Sequence, residues 1–318
     1  LVLYGGGTQF YSFPQIQQYR IRSILKRISH DARRPVRLGQ RMLRKIIKSP
    51  SPVGNPRVAA IGVGLGPFVK NCSYMRWTKE LFRRMDYIAV RDTNSYDLCM
   101  KWGCRNVLLG SDLCYLPDLR KTFVPDSRID DAIGEIRRIG VIVRDWPHTC
   151  EGDSYAQPLF QVVDELRSVG KEVEFISFAR RFDRVWAKRL IGKNAHFKAW
   201  EPDMYTISEF MQFLSGYDSF ITARYHGAVF ASIIGKPVVC IEVEPKLQLV
   251  SDLLGEGSRL WTYPFNPSEC ICYISELEGN YSESAMCLQG VAKEQGYLAR
   301  KMVDEFTKAM EVYPETVF

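Results

Sequence analysis

The sequence predicts an α/β protein of two open, mostly parallel sheets. Three observations carry the prediction. Short apolar runs of strand formers alternate with stretches of helical periodicity along most of the 318 residues. The alternation stops between Pro117 and Ile136, where prolines and mixed charges crowd together, and restarts at Ile139. A long amphipathic pattern from about Glu283 to Met310 then closes the chain. The expected division is a first α/β domain over residues 1–120, a linker over 121–137 and a second α/β domain over 138–318, a size that buries two sizeable cores.

In the first domain Leu1–Tyr4 reads as a strand end, with Gly5, Gly6 and Gly7 as the turn after it. Three glycines let backbone approach a ligand or a neighbouring element closely, and a tight strand-to-helix turn explains them equally well. Gln15–Ile28 and Leu38–Ile47 have helical spacing. Val58–Val63 is a buried strand leading through Gly62, Gly64 and Gly66. This Gly-x-Gly-x-Gly is not a dinucleotide fingerprint, because Pro67 follows and no acidic residue sits at the required distance. Helix Tyr74–Met85, strand Tyr87–Val90, helix Ser95–Trp102 and strand Val107–Gly110 follow, with Asp112 just beyond. The second domain reads as strand Ile139–Val143, helix Tyr155–Val169, strand Val173–Phe178, helix Phe182–Ile191, a short edge strand Phe197–Trp200 and helix Ile207–Leu214. Such paired open sheets with a long terminal helix suggest the GT-B architecture, with a cleft between two Rossmann-like halves.

Composition narrows the function. Nine cysteines are scattered without a Cys-x-x-Cys pair or histidines at zinc spacing, and several lie in apolar strands, which favours reduced thiols and the cytoplasm. The net charge of +7 is unevenly placed. Between Arg20 and Lys48 only Asp31 is acidic. Aromatics are not interleaved with these cations, so no nucleic-acid partner is expected. The expectation is instead a face toward anionic lipid or a lipid-diphosphate carrier, with a solvated basic face as the plainer reading. No apolar run in the sequence approaches the ~20 residues that cross a bilayer.

The richest stretch runs from Asp218 to Leu254. Strand Ser219–Thr222 ends at Arg224-Tyr225-His226-Gly227, a helix of small residues runs from Ala228 to Ile234, Gly235 and Pro237 close it, and strand Val238–Val243 leads to Lys246. In an open α/β sheet ligands collect beyond the carboxyl ends of strands, where helix N-termini point. Arg224 and His226 fall at one such end, and Glu242, Glu244 and Lys246 at the next. A cation, an imidazole and helix-start amides suit an anionic ligand that gains or loses a proton.

ARYHGAVFASIIGKPVVCIEVEPKLQLVSDLLG, from Ala223, resembles the C-terminal signature of the polysaccharide pyruvyl transferase family. LVLYGGGTQF at the start, AAIGVGLGPF from Ala59, YIAVRDTNSYDLCMKWGCRNVLLGSDLCYLP from Tyr87 and GVIVRDW from Gly140 fit the same family in the same order. Against that family the chain begins inside its first strand, so a preceding strand–helix unit is expected to be missing. The resemblance implies the GT-B arrangement and transfer of pyruvate from phosphoenolpyruvate to a sugar of a polysaccharide or its lipid-linked precursor, commonly as a ketal. It implies no cofactor beyond phosphoenolpyruvate as co-substrate, and no metal is expected.

On that reading His226 is the general acid, and Arg224, Arg144 and Lys246 hold the donor's carboxylate and phosphate, since arginine forks match both groups. Arg144 ends the first strand of the second domain; a salt bridge to Asp145 or Asp183 is its plainer role. The first domain is then the acceptor side and the second the donor side; Arg91, Asp112, Gly6, Gly7 and Gly64 are candidates for the cleft or the acceptor, and Asp92 is expected to be structural. Trp146 and His148 lie in the loop after Arg144. The competing reading is a GT-B glycosyltransferase or epimerase using a nucleotide sugar, with Glu242 or Glu244 gripping ribose.

Overall fold

A computed structural model describes residues 1–12, 57–70, 72–118, 135–148, 153–192, 197–201 and 203–310. The expected helices Gln15–Ile28 and Leu38–Ile47, the basic Arg20–Lys48 segment and most of the expected linker lie outside these residues. The chain divides into two compact units, Leu1–Asp112 with the chain from Lys301 onward, and Leu113–Arg300.

The first unit holds β1 (Val2–Gly5), β2 (Thr8–Phe10), β3 (Val58–Leu65), α1 (Ser73–Phe82), β4 (Tyr87–Val90), α2 (Thr93–Trp102) and β5 (Val107–Leu109). Its sheet runs β1-β3-β4-β5, all parallel. The glycine triplet does not lead into a helix. β1 pairs Val2–Gly5 with Val58–Ile61, and β2 resumes on the same neighbour with Thr8 opposite Gly64. Between them Gly6 and Gly7 have φ of 57° and 69°, a left-handed backbone that only glycine adopts without cost. The triplet is therefore a bulge inside one interrupted strand. Asp92 is structural as expected. It caps α2, its Oδ1 accepting from the Ser95 amide at 2.8 Å and the Ser95 hydroxyl at 2.7 Å. The Ser95 hydroxyl in turn accepts from the Leu65 amide, tying the cap to β3.

The second unit holds β6 (Arg138–Ile142), α3 (Ala156–Ser168), β7 (Glu172–Ser177), α4 (Arg184–Gly192), β8 (Phe197–Ala199), α5 (Ile207–Ser215), β9 (Ser219–Thr222), α6 (Tyr225–Ile233), β10 (Val238–Ile241), α7 (Pro245–Leu254), β11 (Ser258–Trp261) and α8 (Pro267–Gly279). The sheet is parallel throughout, in the order β11-β10-β9-β6-β7-β8. Counted from β6 as the first strand, this is the doubly wound 3-2-1-4-5-6 order, whose switch point falls between β6 and β9. β9 and β10 are buried at every position, as central parallel strands covered on both faces must be. Trp186 of α4 is fully buried among Tyr155, Phe160 and Phe175, and truncating it to alanine should cost about 3–5 kcal/mol.

β11 and α8 are not among the expected elements. α8 buries Cys270, Ile274 and Leu277, a spacing of four and three that marks one helix face. α9 (Tyr281–Met310) is the expected long helix. Its last turns pack within the first unit, where Tyr87 donates to the Met302 carbonyl at 2.9 Å and its ring meets Phe306 at 5.7 Å.

Candidate functional site

The candidate site lies at the switch point of the second unit. Arg144 follows β6, Arg224 follows β9 and caps α6, and Lys246 sits in the first turn of α7 after β10. These three and His226 line one cavity of about 340 Å³, walled by aromatic and apolar side chains including Phe178, Trp200, Phe210 and Phe230. The four residues that sequence reasoning assigned to donor chemistry are thus brought together.

His226 takes its place from local packing. Gly227 lies so close to β9 that a Cβ there would stand 2.1 Å from Thr222 Oγ1 and 3.0 Å from Ile142 Cδ1. Only glycine lets the first turn of α6 press onto the sheet, and that fixes the imidazole one residue earlier. Thr222 Oγ1 accepts from the Arg224 amide at 3.1 Å and donates to the Arg224 carbonyl at 3.0 Å, so the turn is held from both sides. The His226 ring packs edge-on to Tyr225 and lies 6.0 Å from Phe230.

Two carboxylates hold the cations. Arg224 Nη2 donates to Asp183 Oδ1 at 2.5 Å and its Nε to the Val143 carbonyl at 3.2 Å. Arg144 Nη1 donates to Glu244 Oε1, an oxygen that Lys246 Nζ also reaches at 3.0 Å. Burial is lopsided. The acids are sealed, with 0% and 1% of the Asp183 and Glu244 side chains exposed, while Arg224, Arg144 and Lys246 keep 16%, 22% and 23%. Burial pulls the Arg224 pKa below its ordinary value, and the charge of Asp183 opposes that shift.

The pairing differs from the sequence expectation. Arg144 bonds to Glu244 rather than to Asp145 or Asp183, and Asp183 belongs to Arg224. Along the sheet the strands that precede these residues run β10, β9, β6, β7, carrying Glu244, Arg224, Arg144 and Asp183. Each bridge therefore skips one strand. Asp145 instead caps α4, accepting from the Val185 and Trp186 amides at 2.8 and 3.1 Å. Burial holds its carboxyl above the usual range.

Supporting groups fix Arg144 further. The buried Tyr155 hydroxyl donates to the Arg144 carbonyl at 2.7 Å and accepts from its amide, and Trp186 Nε1 donates to the same carbonyl at 3.1 Å. The guanidinium lies 4.2 Å from the Trp146 ring centre. His148 packs edge-on to Trp146, and burial followed by the charge of Arg144 pushes its pKa below the ordinary 6.5. Sequence reasoning passed over the aromatic wall. The rule that selected Arg144 also selects Phe178, just past β7, and Trp200, just past β8.

The remaining candidates belong to the first unit. Arg91 Nη1 donates to Asp112 Oδ2 at 2.7 Å, with 2% and 3% of the side chains exposed. Gly64 makes room for that pair, since a Cβ there would stand 2.9 Å from Arg91 Nε. Gly6 and Gly7 form the bulge already described; the Gly6 amide donates to the Ile61 carbonyl at 2.9 Å, and the Gly7 carbonyl accepts from the Gly64 amide at 2.9 Å.

Residues 1–245 match the family described as Polysaccharide pyruvyl transferase. The chain belongs to the polysaccharide pyruvyl transferase family. The match covers the motif series as far as Pro245, inside the stretch that starts at Ala223, and takes in Arg144, Arg224 and His226; Lys246 stands one position past it. No protein of curated function matches the chain.

Among solved structures, this family member is similar to a TarM mutant of S. aureus in complex with Fondaparinux, alpha-GlcNAc-glycerol and UDP. That likeness has a TM-score of 0.55 at 13% identity, over 84% of this chain and 53% of that one. A UDP-N-acetylglucosamine 2-epimerase gives 0.53 at 15%, over 81% and 67%. The UDP-GlcNAc 2-epimerase of Neisseria meningitidis, bound to UDP-GlcNAc, gives 0.51 at 13%, over 84% and 72%. At such identities the likeness speaks for the fold alone, which is GT-B-like, as the sequence predicted.

Proposed function

We propose that this family member transfers the pyruvyl group of phosphoenolpyruvate to a sugar of a polysaccharide or its lipid-linked precursor, forming a ketal. The observation that carries this reading is the convergence of Arg144, Arg224, Lys246 and His226 on one small cavity at the switch point. Three cations stand against two buried acids, a surplus that suits a ligand carrying both a carboxylate and a phosphate.

In the proposed reaction His226 gives a proton to the donor's methylene carbon, which becomes the methyl group. The adjoining carbon gains cationic character, and two acceptor hydroxyl oxygens bond to it as its bond to the phosphate oxygen breaks. Phosphate leaves with the electron pair. Of the two hydroxyl protons, one replaces the proton given by His226 and the other leaves with phosphate or solvent. Arg144, Arg224 and Lys246 hold the donor's anions and stabilise the leaving group. No divalent cation is required on this reading; strict loss of activity in chelator, restored by magnesium, would contradict it. Glu244 is already bonded to Arg144 and Lys246, which leaves it poorly placed to grip ribose.

Among the described residues no helix is long and apolar enough to cross a membrane. The proposed setting is the cytoplasm, with the Arg20–Lys48 segment resting on anionic lipid. Co-sedimentation with anionic and neutral vesicles at two salt concentrations tests that setting. A phosphate-release assay tests the chemistry. His226→Ala should lower turnover ~10²–10⁴-fold with little change in donor affinity, and His226→Gln should not restore it. Near-normal turnover in His226→Ala would reduce His226 to a residue of the helix start.

A further inference from the structure

A second cavity, of about 800 Å³, opens in the same unit between the β7–α4 connection and the end of β8. Phe178 and Trp200 line both cavities, so the two share a wall. Arg180 is paired with Glu201 at its rim. Arg181, Arg184 and Lys188 also line it, are exposed, and make no ion pair among the described residues. Phe182 stands between them with 76% of its surface exposed.

One of these cations, Arg184, is placed against helix stability. Arg184 opens α4, and the first turn of α4 contains no acidic residue. Positive charge at a helix N-terminus opposes the macrodipole, and the end is satisfied from outside by Asp145. The cavity's size, its unpaired cations and its aromatic faces suit a sugar ring that carries negative charge.

We propose that this groove binds the acceptor glycan through a carboxylate-bearing sugar next to the one modified. Arg181, Arg184 and Lys188 meet the carboxylates, and Phe182 and Trp200 cover ring faces. Its role as an acceptor site rests on the pyruvyl-transfer reading; its affinity for an acidic saccharide does not.

The test is titration of the full chain with tetragalacturonate and with its fully methyl-esterified form, alongside phosphoenolpyruvate. The acidic tetramer should bind about tenfold or more tightly than the ester, the worth of one charge-assisted contact. Arg181→Ala/Arg184→Ala should remove that preference and leave the phosphoenolpyruvate titration unchanged. Lys188→Ala, an exposed single change, should weaken the preference if the double variant does not fold. Equal affinity for acid and ester, or a preference that survives both variants, overturns the proposal. Pyrophosphate binding as tightly as the tetramer overturns it in favour of a phosphate site. Anionic vesicles that bind through these residues without competition from the tetramer overturn it in favour of a membrane surface. If the tetramer binds and phosphoenolpyruvate does not, the groove stands and the pyruvyl-transfer reading falls.

Discussion

Each unit has arginine–carboxylate bridges just past the ends of its strands, and the two sets are built differently. In the first unit Arg91 and Asp112 are both sealed, and Gly64 is kept bare to admit the guanidinium. In the second unit the acids are sealed but Arg144, Arg224 and Lys246 keep a face on a cavity. In a sealed pair both partners are shut from solvent. A half-sealed pair holds a cation in position while leaving it hydrogen-bonding capacity for something else. The same pairing of residue types is shut from solvent in one place and open to a cavity in the other.

The largest expected effect comes from breaking the sealed pair. Arg91→Ala takes the guanidinium away from the buried Asp112 carboxylate and should cost about 3–5 kcal/mol of stability in chemical denaturation. Phosphoenolpyruvate affinity should not change. Arg91→Met/Asp112→Leu, which removes both charges, should recover much of the loss. A stable Arg91→Ala variant with lost donor binding would show that the first pair is not merely architectural.

Next in size is the half-sealed pair. Arg224→Gln should weaken phosphoenolpyruvate binding by about 1.5–3 kcal/mol, read by calorimetry. Arg224→Ala is the poorer test, because it strands the buried Asp183 and mixes folding with binding. If Arg224→Gln lowers stability and leaves affinity intact, the contrast between the two units collapses.

The smallest effect concerns pH. The folded His148 takes its proton below 6.5, because burial and Arg144 disfavour the imidazolium. The unfolded chain therefore binds the extra proton first as pH falls. His148 contributes stability that is present above about 6.5 and lost as pH drops through its lower folded value. Melting curves across pH 5–8 should show this slope, and His148→Gln should flatten it. An unchanged slope would mean that other groups carry it.

Much of this was legible in the sequence. Strand–helix alternation placed nearly every element described here, because central parallel strands must be continuously apolar and their helices amphipathic. The strand-end rule found Arg144, Arg224, His226 and Lys246 for the same reason. Pairing was not legible. Which carboxylate meets which arginine depends on strand order, and β6 lies beside β9 although 76 residues separate Ile142 from Ser219. α8 was passed over although Cys270, Ile274 and Leu277 recur at helical spacing. The glycine triplet kept its turn signature but hid a bulge, since a left-handed pair can interrupt a strand as readily as end it.

The central claim is that the half-sealed cations form a donor site for a small ligand that carries a carboxylate and a phosphate. Calorimetric titration of the full chain with phosphoenolpyruvate, and separately with UDP-N-acetylglucosamine, tests it most directly. The account predicts saturable phosphoenolpyruvate binding that weakens in Arg224→Gln and in Arg144→Gln, with no comparable response to the nucleotide sugar. Saturable binding of the nucleotide sugar at this cavity, with none for phosphoenolpyruvate, would contradict it.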